Sequence, residues 1–489
     1  MQRGTSVKKF ALIAAAALCA CSSPLSSTPT APGYRVGSFG THSGGSTPIQ
    51  HIIIVMQENR SFNNLFYGFP GARTAKTGNG HGTKYTMQEI PLVWKYDLNH
   101  SHEQFLEDYD QGKDDGFDAE LLSYNKTKGP ICSADNDVNS YNEPVCWIID
   151  KKPNIKQQAF SYVNPAVIKP YWDMAKQYTL GDDAFSSNNG PTFVSHQYLV
   201  AGQGGHSIEV PGGLPWGCNG DKRISVNLLA YGQADPPVFS PATGHEVTGP
   251  FPCFSYSTIV DNLDAAGITW KYYAQKSGAG SNLDPFEANR PIWTGPDRAN
   301  IISPDKTILT DITSGNLANV SWVTPSGHNS DHPGSQSGDK GPSWVGSIVN
   351  AVGESQYWNS TAVIIMWDEW GGWFDPVHPP QYPDPITHAR EGLGFRVPLI
   401  IVSPYAKAGY VSHSQHEIAS TLHFIEQTFG LPFISNTAYP YVHYADWRAD
   451  AFDDCFDFTQ PPIPFIPIKT KYDARYFLTH TDDTPGDTY

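Results

Sequence analysis

Three short runs of the chain are apolar at nearly every position: His51–Met56 (HIIIVM), Thr361–Trp367 (TAVIIMW) and Val397–Val402 (VPLIIV). A strand with one face in water alternates apolar and polar residues, whereas a strand covered on both faces does not. The three runs therefore predict interior strands of a parallel sheet. Elsewhere the spacing is helical. From His416 to Phe429, residues Ile418, Ala419, Leu422, Ile425 and Phe429 fall on one face, Ser414 and Glu417 form a capping-box pattern, and Gly430 and Pro432 end the run. Phe193–Ala201 (FVSHQYLVA) opens another helix behind the turn Asn188-Asn189-Gly190-Pro191-Thr192. Strands alternating with helices predict an α/β fold, a mostly parallel central sheet sandwiched by helices.

The polar residues that follow the strands carry chemistry. The first run continues into Gln57-Glu58-Asn59-Arg60, and the second into Asp368-Glu369. Open parallel sheets build their sites at the carboxyl ends of the strands, so two strands deliver Glu58, Asn59, Asp368 and Glu369 to one edge. A single carboxylate there is more often a loop cap or a salt bridge. Its repetition after two of the strongest strands favours a site. Thr192 sits where a helix begins, and the free N–H groups and positive dipole end of such a terminus suit an anion. Taken alone, its plainer reading is an N-cap, worth about 1 kcal/mol.

Composition narrows the picture. With 489 residues and 39% hydrophobic residues the chain can bury a large core, and a formal charge of −16 argues against a nucleic-acid partner bound through basic patches. The start reads as an export leader: Arg3, Lys8 and Lys9 precede the apolar stretch Phe10–Leu18, which is too short to span a bilayer. Leu18-Cys19-Ala20-Cys21 resembles a lipobox, with Cys21 as the residue to be lipidated; ordinary leader cleavage is the alternative. Residues 1–20 thus form the leader, 21–49 a flexible tether rich in Ser, Thr, Pro and Gly, and 50–489 the functional domain. No later stretch is apolar for long enough to cross a membrane. The chain has no CxxC pair, so a zinc–thiolate site is not expected. Disulfides Cys132–Cys146 and Cys218–Cys253, each closing a short loop, are expected of an exported chain, which leaves Cys455 single; other pairings stay open.

The segments QHIIIVMQENRSFNNLF, NNGPTFVSHQYLVAG and IIMWDEWGGWFDPV resemble signature blocks of the bacterial phosphoesterase family, which contains secreted acid phosphatases and non-specific phospholipases C. DLNHSHEQFLEDYDQGKDDGF, PCFSYSTIVDNLDAAGITWKYY, NSDHPGSQSG and ASTLHFIEQTFGLP extend the resemblance, in the family's order, from about Gln50 to Pro432. The resemblance implies a fold like that of alkaline phosphatases and sulfatases. It implies a metal held by Glu58, Asn59, Asp368 and Glu369, with Thr192 as both nucleophile and metal ligand. It also implies His332 as proton donor, and His100 and His102 near the phosphate. Two departures stand out. Val194-Ser195-His196 replaces a common Pro-Asn-Arg after the nucleophile, and Trp370 stands where many relatives have His or Asn.

The chemistry agrees with this assignment. A phosphate ester is anionic and would be repelled by three carboxylates, so a cation is expected between them. Oxygen donors suit one hard divalent ion of the Mg, Ca or Mn class. The substrate expected is a phosphate ester, with a phospholipid diester placed slightly ahead of a monoester. A surface ligand-binding protein with a vestigial site is the reading from another class. A sulfatase is remote, because no Cys or Ser in a C/S-x-P-x-R signature accompanies Thr192. His378, close behind the second strand, is a residue that could support the site from outside.

Overall fold

In the computed structural model, His51–Gln57 (β1) runs through the middle of an eight-stranded sheet, and Ile52, Ile53, Ile54 and Val55 are wholly buried. The structure describes residues 47–94, 97–119, 155–230, 245–275, 283–334, 338–383, 390–434, 444–480 and 482. The leader, nearly all of the tether and the expected Cys132–Cys146 pair lie outside the described residues.

The other strands of the sheet are Thr179–Gly181 (β2), Trp270–Tyr273 (β3), Ile301–Ile302 (β4), Val320–Val323 (β5), Thr361–Trp367 (β6), Leu399–Val402 (β7) and Tyr410–Ser412 (β8). Their spatial order is β4-β3-β5-β1-β6-β7-β2-β8. Both neighbours of β1, β5 and β6, are parallel to it, and the register with β6 runs from His51 opposite Thr361 to Gln57 opposite Trp367. The α/β class and the mostly parallel sheet therefore match the sequence pattern.

The third apolar run departs from it. β7 pairs antiparallel with both β6 and β2, where the sequence pattern predicts a parallel strand. A parallel return needs a crossover, usually a helix. Between β6 and β7 the described residues hold no helix, only a small antiparallel pairing of Gln381–Pro383 with Arg390–Gly392.

Helices of eight or more residues flank the sheet: His102–Tyr109 (α1), Lys169–Gln177 (α2), Thr192–Ala201 (α3), Ile259–Ala266 (α4), Thr307–Ser314 (α5), Gly341–Gly353 (α6) and Ser420–Phe429 (α7). α6 packs on α2, α5 and β6, while α3 packs on α4 and α7. α7 starts four residues later than its periodicity predicts, and Ser414 and Glu417 form no capping box. His416 and Glu417 instead pair with Ala184 and Phe185 as a short parallel bridge. The His416 ring is held there by Asp450 at 2.9 Å and Ser412 at 2.9 Å, which keeps the segment out of the helix. The predicted stop stands, because Gly430 takes φ +66° at the C-cap. Cys218 and Cys253 are bonded to each other, and Cys455 is a buried free thiol.

Candidate active site

The register of β1 on β6 decides where the acids fall. Because Gln57 is opposite Trp367, the next residues, Glu58 and Asp368, leave the sheet side by side. Two main-chain links hold them there: the Asp368 N–H donates to the Gln57 carbonyl at 3.0 Å, and the Asn59 N–H donates to Asp368 Oδ1 at 2.9 Å. Asn59 takes a left-handed φ of +55°, which turns the chain back over the acids. The loop after β6 follows it closely. A Cβ on Gly371 would meet the Asn59 carbonyl oxygen at 2.2 Å, so only glycine fits, and the Gly371 N–H donates to Glu369 Oε2 at 2.7 Å.

Glu58, Asn59, Asp368 and Glu369 are all fully buried. Burial, and then the charge of Glu58, hold the Asp368 carboxyl well above the ordinary carboxylate range; burial and then Asp368 do the same to Glu369. His196 and the neighbouring Thr192 hydroxyl pull Asp368 the other way.

Thr192 is the first residue of α3, and the cap position before it is Pro191, with no side-chain capping bond. The hydroxyl is therefore not spent on capping. The turn in front is fixed by other groups: the Gly190 N–H donates to Asn188 Oδ1 at 2.7 Å, and Asn188 Nδ2 donates to Ser195 Oγ at 3.1 Å.

The histidines divide into distinct roles. His102 Nδ1 meets the Asn189 carbonyl at 3.1 Å and its main-chain N–H donates to Glu209, so it braces the turn in front of Thr192. His100 lies in the acid cluster itself: Nδ1 meets the Leu98 carbonyl at 2.7 Å, Nε2 meets Asn59 Nδ2 at 3.0 Å, and Glu369 Oε1 is 3.9 Å away. His332 faces His100 with ring centroids 5.8 Å apart. Its Nδ1 donates to the Pro333 carbonyl at 2.6 Å, Nε2 has no hydrogen bond, and burial pushes its pKa down to about 4. Ring nitrogens of His100 and His332 and an Asp97 carboxylate oxygen fall within 4.8 Å of one another.

Three further residues were not in the predicted set or sit elsewhere. His196 is buried on α3 with Nε2 3.3 Å from Glu58 Oε1. The sequence marked this position as a lost arginine, and the overlooked signal was its place one helical turn from Thr192. Trp370 is fully buried, donates from Nε1 to Asp108 Oδ2 at 3.0 Å and packs on Phe105 and Phe395, so it bolts the acid loop to α1. His378 is half-exposed and pairs with Asp114 at 2.8 Å.

The donor set fits a cation. Asn59 Oδ1, Thr192 Oγ1, Asp368 Oδ2 and Glu369 Oε1 are each buried without a hydrogen bond of ordinary geometry. Such atoms cost about 1–3 kcal/mol apiece, more when charged, unless something satisfies them. An oxygen-rich cluster of buried carboxylates is satisfied by a metal ion.

A mostly parallel α/β fold with a buried acidic centre and a helix-terminal hydroxyl at its strand ends defines a class of hydrolytic scaffold. The chain belongs to the Phosphoesterase family, which it matches over residues 49–432. It is 25% identical over 473 residues to the non-hemolytic phospholipase C of Pseudomonas aeruginosa, covering 88% of this chain and 61% of that protein. It is 26% identical over 466 residues to phospholipase C A of Mycobacterium tuberculosis, covering 86% and 80%. The non-specific phospholipase C6 of Arabidopsis thaliana is 24% identical over 455 residues, covering 88% and 76%. The chain thus spans about three fifths of the Pseudomonas relative's length. Among solved structures, an alkaline phosphatase superfamily protein from Vibrio parahaemolyticus aligns at a TM-score of 0.31 and 10% identity, covering 60% of this chain and 64% of that one. Family and relatives together support a hydrolase acting on phosphoric ester bonds.

Proposed function

We propose that this protein is an exported, metal-dependent phosphoesterase of the phospholipase C type, with Thr192 as nucleophile. The observation that carries the reading is the buried Thr192 hydroxyl, free of any capping bond at the start of α3 and adjacent to Asp368. Glu58, Asn59, Asp368, Glu369 and Thr192 would hold one divalent ion. When bound, the ion supplies charge neutralisation and lowers the pKa of the hydroxyl beside it.

This chain's own groups account for the remaining work. The α3 N-terminus would offer the positive end of its dipole to the anion. Thr192 Oγ1, its proton given up to water, forms the new bond to phosphorus as the bond to the alcohol oxygen breaks. The departing alcohol takes a proton from His332 Nε2, a role worth about 10²–10⁴-fold. Burial opposes protonation of His332, and an anionic phosphate beside it favours it. Water then cleaves the threonyl phosphodiester, releasing the phosphorylated head group, and the hydroxyl regains its proton. His100, braced on Leu98 and touching Asn59, would contact the phosphoryl oxygens, and these two contacts support that role. His102 acts one step back, by fixing the turn.

The phospholipase C relatives favour a phosphodiester substrate, with a phospholipid as the physiological class. Export rests on the leader and is supported by the Cys218–Cys253 disulfide. The lipobox adds an anchor through Cys21. Among the described residues no helix is long and apolar enough to cross a membrane.

The test compares p-nitrophenyl phosphorylcholine with p-nitrophenyl phosphate, using wild type and Thr192→Ala, with and without a chelator. Thr192-dependent, chelator-sensitive turnover with the diester ahead supports the proposal. A monoester preference reassigns the enzyme to the acid phosphatases. Turnover of neither leaves a ligand-binding role on the same fold and overturns the mechanism.

A further inference from the structure

His196 has no part in the predicted ligand set, yet it is bound into the acidic centre. It lies four residues after Thr192 on α3, and positions i and i+4 share one helix face. The side chain is fully buried, and α3 is otherwise apolar or uncharged (TFVSHQYLVA), so His196 is its one titratable side chain besides Tyr198. Nε2 stands 3.3 Å from Glu58 Oε1. A His196 ring nitrogen, a Glu58 oxygen and an Asp368 oxygen all lie within 4.8 Å of one another.

That spacing is informative. A hydrogen bond between nitrogen and oxygen prefers about 2.7–3.2 Å. Two donors bound to one ion at about 2.0–2.2 Å each stand roughly 3.0–3.5 Å apart. The His196–Glu58 separation matches the edge of a coordination polyhedron better than a good hydrogen bond. Glu58 and Asp368 are the pair that the β1–β6 register sets side by side, so the third donor points at the same place as the first two.

We propose that His196 is a nitrogen ligand of the active-site cation. The set is then mixed nitrogen and oxygen rather than all oxygen. Hard Ca²⁺ and Mg²⁺ favour oxygen shells, whereas imidazole suits borderline ions, so the centre selects Fe²⁺, Co²⁺ or Zn²⁺, and Mn²⁺, at the boundary between the two classes, ahead of Ca²⁺ and Mg²⁺. The inference rests on the reading that a cation sits between Glu58 and Asp368, and it adds which ion class and which further side chain.

The experiment uses the metal-stripped whole protein loaded with Mn²⁺, whose electron spin echo reports directly bound nitrogen. Wild type is expected to bind Mn²⁺ and to show ¹⁴N modulation, which His196→Asn loses while His100→Gln and His332→Gln keep it. By calorimetry, Mn²⁺ and Zn²⁺ affinity in His196→Asn is expected to fall by at least about tenfold, the scale on which even outer partners of metal ligands act, with Ca²⁺ affinity nearly unchanged. His196→Gln serves as a second variant if the first does not fold. Persistence of the ¹⁴N signal and of Mn²⁺ affinity in the His196 variants overturns the inference and leaves the cation site standing. Failure of wild type to bind Mn²⁺ more tightly than Asp368→Asn overturns the site and the inference together.

Discussion

Removing one acid from the centre is expected to stabilise the metal-free protein, and Asp368→Asn is the sharpest way to do it. Ligand oxygens of Asp368 and Glu58 lie within 4.8 Å, both side chains wholly buried. At an effective dielectric of about 20, two unit charges at that separation repel by about 3.5 kcal/mol. This is a ceiling, because the cluster escapes part of it by keeping a proton. Asparagine has nearly the same shape, and its Oδ1 can still accept from the Asn59 N–H at 2.9 Å and the Glu369 N–H at 2.8 Å. The substitution therefore removes repulsion without orphaning either donor. Unfolding entropy near 2.1 cal/mol/K per residue over ~450 residues converts ~3 kcal/mol into a Tm rise of about 3–4 °C. The sign with pH is fixed. Asp368 has a raised folded-state pKa, so the folded protein holds more protons than the unfolded chain above the ordinary carboxylate range, and stability falls as pH rises. The advantage of Asn should appear at pH 8 and vanish near pH 4. With saturating metal the order should reverse, since wild type gains about 4 kcal/mol at a thousand times Kd and the variant does not. Calorimetry in chelator and in metal, at both pH values, measures all four terms. A variant less stable than wild type in chelator at pH 8, or an equal gain at pH 4, would refute the reasoning.

Thr192→Ala should lower turnover by at least about 10³-fold, as loss of a nucleophile does elsewhere. In wild type, acid-quenched digests should carry the substrate's phosphorylated head group (phosphorylcholine from p-nitrophenyl phosphorylcholine) on the peptide containing Thr192, and its absence under burst conditions would count against covalent catalysis. His332→Gln should slow esters of poorly acidic alcohols by about 10²-fold while sparing p-nitrophenyl esters, which need no proton donor. Equal losses on both substrates would remove His332 from the acid role. Opening the Cys218–Cys253 bond by a Cys218→Ser, Cys253→Ser double substitution frees residues 35 apart in sequence and should cost about 4 kcal/mol in denaturant unfolding.

The parts of the fold readable from the sequence are those fixed by local pattern. β1 and β6 are continuous apolar runs, and no amphipathic alternative competes with a doubly covered strand at those positions. That the polar residues after them lie together as a candidate site was legible for the same reason, since parallel strands end on a common edge. The direction of β7 was not legible, because VPLIIV reads identically either way and the connection decides. The start of α7 was hidden by tertiary bonds from His416 to Asp450 and Ser412, residues remote from or outside the periodic run. The place of His196 was not legible for a different cause: the pattern shows only that histidine replaces a common arginine, and the turn of the helix that carries Thr192 brings it to Glu58.

The mixed sheet also explains how the centre is assembled. β5, β1 and β6 are adjacent and parallel, so their carboxyl ends open on one edge. After β5 comes the loop with Asp331 and His332, after β1 come Glu58 and Asn59, and after β6 come Asp368 and Glu369. β2 is antiparallel to β7, which is antiparallel to β6, so β2 points the same way and feeds the turn that leads to Thr192. β7 alone is reversed, and what it brings to that edge is its entry rather than its exit. There Arg396 donates to Asp375 and to the Arg73 carbonyl, a structural clamp beside the centre. The second half of the same logic concerns the loop after β5. The Asp331 carboxylate accepts from Tyr171 at 2.8 Å and from Trp367 Nε1 at 3.1 Å, and Arg60 Nε donates to its carbonyl at 2.9 Å. Trp367 ends β6 and Arg60 follows Asn59, so one buried aspartate ties the His332 loop to both acid-bearing strands. Loosening Asp331 is expected to shift the His332 ring relative to Thr192, so under the proposed mechanism Asp331 is a positioning residue.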